Sequence, residues 1–140
     1  MPEPSRPARQ PWRNIGFWLC AAIVLLLARN VFASVNDPAG FAAYLGLPLA
    51  PADAGWTSIY ALRTGFIAGL VLVLMLRGDF AGLTWVAAIG VLLPLGDAAL
   101  TYQAGAGQAT VARHLAIAAY LLVTAAILIF ESRARARPEA

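Results

Sequence analysis

The sequence predicts an all-α fold: an integral membrane four-helix bundle with a short interfacial helix in the first outer loop. Of its 140 residues, 61% are hydrophobic and only 12% are charged, and the mean hydropathy is +0.73. A soluble domain of this size is nearer half apolar and a quarter charged. In addition, the chain contains four apolar runs, and each is about long enough to cross a bilayer as a helix. These two observations place the protein in a membrane.

The apolar runs divide the chain into three parts. We predict a disordered, basic N-terminus over residues 1–14, a transmembrane domain over 15–130 and a charged C-terminal tail over 131–140. The first run also has features of a secretory signal peptide, but it is longer than a usual signal core and contains Arg29. We therefore interpret it as a span. The four predicted spans are about 15–35, 56–76, 80–102 and 112–130.

The loop between the first two spans contains the signals of a short helix over residues 38–45. Asp37 is a typical N-cap, and Pro38 follows it at the first helical position. Gly46 is a typical stop. The residues between them have an apolar face at i, i+3 and i+4, which favours a helix lying at the membrane surface. That face is formed by Phe41, Tyr44 and Leu45.

The distribution of arginine predicts the topology. Residues 77–79, Arg-Gly-Asp, form a tight turn that makes the second and third spans antiparallel neighbours. Arginines outside the spans lie in this turn and near both termini, whereas the loop over residues 36–55 has none. The positive-inside rule then predicts a multi-pass protein of the cell membrane with both termini in the cytoplasm.

Several polar residues lie inside the predicted spans, where a charge raises the free energy of membrane insertion. Arg63 and Asp97 fall inside the second and third spans, and an ionisable residue at membrane depth nearly always has a partner or a task. Together with Arg29 and His114 they lie within about 10 Å of the outer ends of their spans. We predict a ligand-binding set at this level. Its members are Arg29, Tyr60, Arg63, Asp97, Thr101 and His114.

The third span has a polar stripe that contains a proline. Gly90, Pro94, Asp97 and Thr101 share one face at 3.6 residues per turn. Pro94 cannot donate to the carbonyl of Gly90, so we expect a kink that either makes room for a ligand or only fits the span to its neighbours. We expect a ligand-sized cavity in the outer half of the bundle, with the helix over 38–45 as its lid. We expect a dry apolar core in the inner half, closed by Leu72, Leu74, Leu83, Val123 and Ile127.

These residues leave three functions open. The first is binding of a lipid, quinone or other amphipathic small molecule in the polar pocket. The second is an intramembrane enzyme with Asp97 as general acid or base and Arg63 stabilising negative charge, with His114 as a further catalytic candidate. The third is an accessory subunit of a membrane complex. For the charged residues there is also a purely structural alternative, in which Arg29, Arg63 and Asp97 form a buried ion pair or triad that only fixes helix register.

Other chemistries and partners are disfavoured. A single histidine cannot provide bis-histidine haem, and Asp97 with His114 falls short of a zinc set, so we expect no metal and no cofactor. Cys20 is the one cysteine, so no internal disulfide forms. The terminal arginines flank spans, which favours membrane lipid as their partner over nucleic acid. Gly65 and Gly69 form GxxxG, which serves packing within the bundle or a homo-oligomer.

The motifs resemble one family. Residues 60–65 read Tyr-Ala-Leu-Arg-Thr-Gly, residues 93–98 read Leu-Pro-Leu-Gly-Asp-Ala, and His114 follows. This pattern is similar to that of small four-span bacterial and fungal proteins catalogued as a domain of unknown function, which resemble the DoxX-like membrane proteins in architecture. The resemblance implies a four-helix fold over most of the chain and no established activity.

Overall fold

The computed structural model describes residues 12, 14–47, 49 and 55–136. Most of the predicted disordered N-terminus and the last four residues of the predicted tail lie outside these residues. The described part folds into helices alone, without strands. The helices are α1 (Ile15–Asn36), α2 (Pro38–Leu45), α3 (Gly55–Arg77), α4 (Phe80–Gly90), α5 (Leu92–Gln103) and α6 (Gln108–Ala136).

Within the described residues, four segments are long and apolar enough to cross a membrane: α1, α3, α4 with α5 as one segment, and α6 as far as Arg133. The predicted all-α membrane bundle is therefore confirmed. The helix of the fourth membrane segment, α6, starts at Gln108, earlier than the predicted span, and continues to Ala136. Helical structure thus includes part of the segment predicted as a tail, because the alanines and arginines after Glu131 are good helix formers.

The helices pack as two pairs. α1 lies along α3, and α4 and α5 both pack against α6. The pairs meet less extensively, through α1 with α6 and α3 with α4, and α3 makes little contact with α5. We call the end that carries the α3–α4 turn the inner end, and the end that carries α2 the outer end. The two pairs are therefore separated between α3 and α5.

The inner end is held together by a small apolar cluster of Cys20, Val71, Met75, Leu83 and Leu128. Close packing of this kind is the main attraction between helices in lipid, where burial of apolar surface from water is no longer available. Gly16 makes this approach possible, since a Cβ atom there would lie 2.5 Å from Leu128 Cδ2. The backbone nitrogen of Gly16 also donates to Glu131 Oε1 at 3.2 Å, which joins α1 to α6.

The short helix α2 forms as its local sequence predicts. Asp37 Oδ1 accepts a hydrogen bond from the backbone nitrogen of Gly40 at 2.9 Å, with Pro38 at the first helical position. Gly46 ends the helix in the left-handed conformation, at φ +81°. A side chain at Gly46 would also come within 2.9 Å of Ala106 Cβ, so glycine lets α2 dock on the α5–α6 connection. Phe41 and Leu45 are buried beneath the helix.

The third membrane segment breaks where proline predicts. α4 ends at Gly90 and α5 begins at Leu92, with Val91 in a turn between them. Pro94 has no N–H to donate to the Gly90 carbonyl, so the regular ladder of hydrogen bonds is interrupted there. The helix is thus interrupted one turn before Pro94, as expected, and Asp97 lies in the half that follows.

Candidate functional site

A cavity of about 480 Å³ lies between the two helix pairs, a size typical of small-molecule sites. Its inner part is apolar. The side chains there include Ile23, Leu27, Ile67, Val71, Leu83, Val86 and Leu121.

The cavity extends further towards the inner end than expected, since its lining includes Cys20, Val71 and Leu83. The prediction that the inner half contains no cavity is therefore wrong, although Leu83 is itself buried in the apolar cluster. The physical reason is rotation of the helices about their own axes. Leu72 and Val123 face outwards, with 44% and 55% of their surface exposed, and so do not close the space.

Towards the outer end the cavity lining becomes polar. Of the predicted ligand-binding residues, Tyr60, Arg63, Asp97 and His114 all line this cavity, so the structure brings them together from α3, α5 and α6. Two other predicted residues lie elsewhere: Thr101 lines a neighbouring cavity, and Arg29 lines neither. The polar residues of the main cavity that were not in the predicted set are Asn30, Tyr44, Thr64, Arg113 and Tyr120.

The neighbouring cavity, of about 200 Å³, lies at the outer end between α3 and α5. It shares Tyr60, Arg63, Asp97 and His114 with the main cavity, so the two spaces meet at these residues. Its remaining wall includes Ile59 and Leu100, which are 69% and 55% exposed. The polar end therefore opens sideways between α3 and α5, which make little contact with each other.

Asp97 is half-buried and faces both cavities. Its carboxylate makes no direct ion pair or hydrogen bond with any side chain in the described part of the chain. Arg63 and His114 interact with it electrostatically from across the space. The described residues therefore do not form the buried ion pair that a purely structural role predicts.

Tyr60 connects three helices around the polar end. Its ring packs on Phe41 of α2 at 4.9 Å between centroids, and the guanidinium of Arg63 lies 5.7 Å from its ring centre. Its hydroxyl oxygen lies 3.5 Å from the side-chain nitrogen of Asn30 on α1. Tyr60 thereby fixes the position of Arg63 relative to α1 and α2.

Arg113 is a site residue that the sequence reasoning missed. Its Nη1 donates to the carbonyl oxygen of Tyr44 at 2.7 Å, and its guanidinium lies 4.2 Å from the centre of the Tyr44 ring. Arg29 lies against the same ring at 5.0 Å. One signal was present in the sequence: Arg113 directly precedes His114 at the start of an outer span, opposite a short helix whose free carbonyls attract cations.

His114 and Thr101 are the most buried of the predicted residues, at 4% and 0% exposed. His114 Nε2 lies 3.4 Å from the carbonyl oxygen of Leu45, so this imidazole also faces the C-terminus of α2. The hydroxyl of Thr101 donates to the carbonyl of Ala98 in its own helix at 3.1 Å. Thr101 therefore offers the cavity its methyl group more readily than its hydroxyl.

This fold and site define a class: a multi-pass membrane protein whose helical bundle encloses a cavity that is apolar at one end and polar at the other. Residues 21–128 match the family model described as Domain of unknown function (DUF4267), and the chain belongs to that family. The predicted membership of a family of unknown function is thus confirmed. No curated protein and no solved structure matches the chain.

Proposed function

We propose that the protein binds a lipid, a quinone or another amphipathic small molecule in the cavity between its helix pairs. The observation that carries this proposal is the division of one cavity of about 480 Å³ into an apolar inner part and a polar outer end. An amphipathic molecule has the same division, with an apolar tail and a polar head. Each end of the ligand then meets groups of matching polarity.

The tail occupies the part lined by Ile67, Val71, Leu83 and Val86. The head lies among Tyr60, Arg63, Asp97, Arg113 and His114. Entry is from the side, through the opening between α3 and α5, because a membrane-dissolved molecule then reaches the cavity without leaving the bilayer.

Two isomeric residues of α3 offer a matched test. Ile67 lines the cavity, whereas Leu62 is 78% exposed on the outside of the bundle. Ile67→Trp and Leu62→Trp add the same volume at these two places. Native mass spectrometry of protein released from lipid nanodiscs should show a bound small molecule with wild type and Leu62→Trp, and its loss with Ile67→Trp. Equal occupancy in all three proteins, or none in wild type, would refute the proposal.

A second candidate is supported by the position of Asp97. A carboxylate that faces a cavity without a direct ion pair is suited to transfer a proton, with Arg63 placed to stabilise negative charge. If the protein is an enzyme, Asp97→Asn should retain a molecule whose mass differs from that bound to wild type. If it only binds, both proteins should retain the same mass.

Several further features belong to the same proposal. We propose that the protein lies in the cell membrane with both termini in the cytoplasm. We also propose the division of the chain into residues 1–14, 15–130 and 131–140. The architectural similarity to DoxX-like proteins stays a prediction. A Cβ atom built on Gly65 would lie 3.8 Å from Val31 of α1, which favours packing within the bundle over a homo-oligomer at that glycine. A stoichiometric protein co-purifying from native lipid would instead favour the accessory-subunit hypothesis.

A further inference from the structure

The outer end of the bundle has an excess of positive charge. Arg29, Arg63 and Arg113 come from α1, α3 and α6, and within the described residues Asp97 is the carboxylate that lines the cavity with Arg63 and Arg113. The other described acid at this end, Asp37, is engaged as the N-cap of α2. The cavity lining itself thus contains two arginines and one carboxylate, with His114 beside them.

Two of these cations contact the same aromatic ring. The guanidiniums of Arg29 and Arg113 lie 5.0 Å and 4.2 Å from the centre of the same Tyr44 ring. Two positive charges at one ring repel each other, and no described carboxylate pairs with either of them. The Tyr44 ring offsets part of this repulsion, and an anion offsets it more fully.

Both guanidiniums also retain hydrogen-bonding capacity. Nη1 of Arg113 donates to the Tyr44 carbonyl, and Nη1 of Arg29 donates to Asn30 Oδ1 at 3.2 Å. A guanidinium has five N–H groups in a rigid fork that suits a phosphate or a carboxylate. These contacts orient each arginine and leave further N–H groups for a ligand.

We infer that the amphipathic ligand carries an anionic head group, a phosphate or carboxylate, which binds to Arg113 at the outer end of the cavity. Arg63 faces the same space from α3. Arg29 contacts the Tyr44 ring outside the cavity lining and adds to the positive electrostatic potential at this end. The inference rests on the proposed function, because the apolar tail is what places the head group at this level.

The test compares two ligands that differ in one group. 1-Oleoyl lysophosphatidate and 1-oleoyl glycerol share the acyl chain and the glycerol, and only the first carries a phosphate. Wild-type protein in phosphatidylcholine nanodiscs should retain the phosphate-bearing ligand at least about tenfold more tightly. Inorganic phosphate alone should bind at least about tenfold more weakly than the lysophosphatidate, because it lacks the tail. If inorganic phosphate bound as tightly as the lysophosphatidate, the result would contradict the inference that the bound anion is the head group of a lipid.

Variants locate the effect. Arg113→Gln should remove most of the preference for the phosphate, measured as the ratio of the affinities of the two oleoyl ligands for the same variant, and Arg113→Lys should restore part of that ratio because the charge returns. Arg77→Gln is the control, since Arg77 lies exposed at the inner end. Should Arg113→Gln fail to fold, Arg63→Gln is expected to lower the preference as well.

The two proposals fail in different ways. Equal retention of both oleoyl ligands by wild type would overturn the anionic head group and leave the amphipathic site standing. Retention of neither ligand would overturn both proposals. A preference for the phosphate that Arg113→Gln and Arg63→Gln leave intact would overturn the assignment of these arginines.

Discussion

Arg113 of α6 and Tyr44 of α2 make a double contact: the guanidinium donates to the Tyr44 carbonyl at 2.7 Å and also lies 4.2 Å from the centre of its ring. His114, the next residue, faces the carbonyl of Leu45. Two neighbouring basic residues of α6 thus reach the C-terminal carbonyls of α2, where the helix dipole favours cations. This contact holds α2 over the outer end of the cavity.

Removal of this contact should release α2. Arg113→Gln loses a hydrogen bond from a charged donor, worth about 1.5–3 kcal/mol, and the cation–π contact with it. We expect faster hydrogen exchange of the α2 amides and a lower midpoint of thermal unfolding in nanodiscs. Arg113→Lys should recover part of the loss, since an ammonium can donate to the carbonyl but does not stack as a planar group. Unchanged exchange in α2 would contradict the assigned role.

The N-cap of α2 offers a separate test with an internal control. Asp37→Ala removes the acceptor of the Gly40 amide and should destabilise α2 by about 1 kcal/mol. Asp79 caps α4 in the same way, with Oδ1 accepting from the backbone nitrogen of Gly82 at 2.8 Å. Asp79→Ala should therefore raise exchange at the start of α4 and leave α2 unaffected. Identical exchange profiles for the two variants would show that the caps do not act locally.

The relationship between Asp97 and Arg63 is tested by a double-mutant cycle. Because the two residues form no direct ion pair, we expect a coupling free energy below about 1 kcal/mol for Asp97→Asn with Arg63→Gln. Thermal unfolding of wild type, both single variants and the double variant provides the measurement. A coupling of about 3 kcal/mol or more, as for a buried contact pair, would contradict the separation seen across the cavity.

The opening between α3 and α5 should control exchange of the ligand. Ile59 and Leu100 line its two sides, so cysteines at these positions can be joined by a bismaleimide in a Cys20→Ala background. We expect the cross-link to slow release of a bound oleoyl ligand, measured as its dissociation rate into empty vesicles. Each single-cysteine variant treated with the same reagent is the control. An unchanged rate in the cross-linked protein would place the entry route elsewhere.

The topology predicted from arginine can be checked by labelling. Ala104 is exposed at the outer end after α5, and Ser132 is exposed near the inner end of α6. In intact cells, a membrane-impermeant maleimide should label Ala104→Cys and not Ser132→Cys, both in the Cys20→Ala background, which alone should stay unlabelled. The reverse pattern would mean that the termini lie outside the cytoplasm.

Much of the fold was predictable because its signals are local. The apolar runs determine the membrane segments, Asp37 and Gly46 delimit α2, and Pro94 interrupts the third segment one turn upstream, at Val91. Each of these depends on a residue and its near neighbours in the chain: burial of a run in lipid, a cap, a missing N–H. The level of the site also followed from sequence, since depth in a membrane is set by position along a helix.

Four of the predicted site residues line one cavity, in agreement with the sequence analysis. The contacts that these residues make could not be predicted from the sequence. Arg113 was missed because its partners are a ring and a carbonyl on α2, a helix far away in the chain. Arg29 was placed with the ligand, yet it lies behind Tyr44. The depth of the cavity was underestimated because Leu72 and Val123 turn outwards.

The sequence by itself therefore determined the four membrane segments, the short capped helix, the break at proline and the outer level of the polar residues. Only the tertiary structure decided how the helices are rotated and paired, and hence that Asp97 faces a cavity instead of an arginine and that α6 holds α2. The physical reason is that lipid is as apolar as the helix surface. An apolar segment has no strong hydrophobic face to fix its rotation, so side-chain packing between segments decides it.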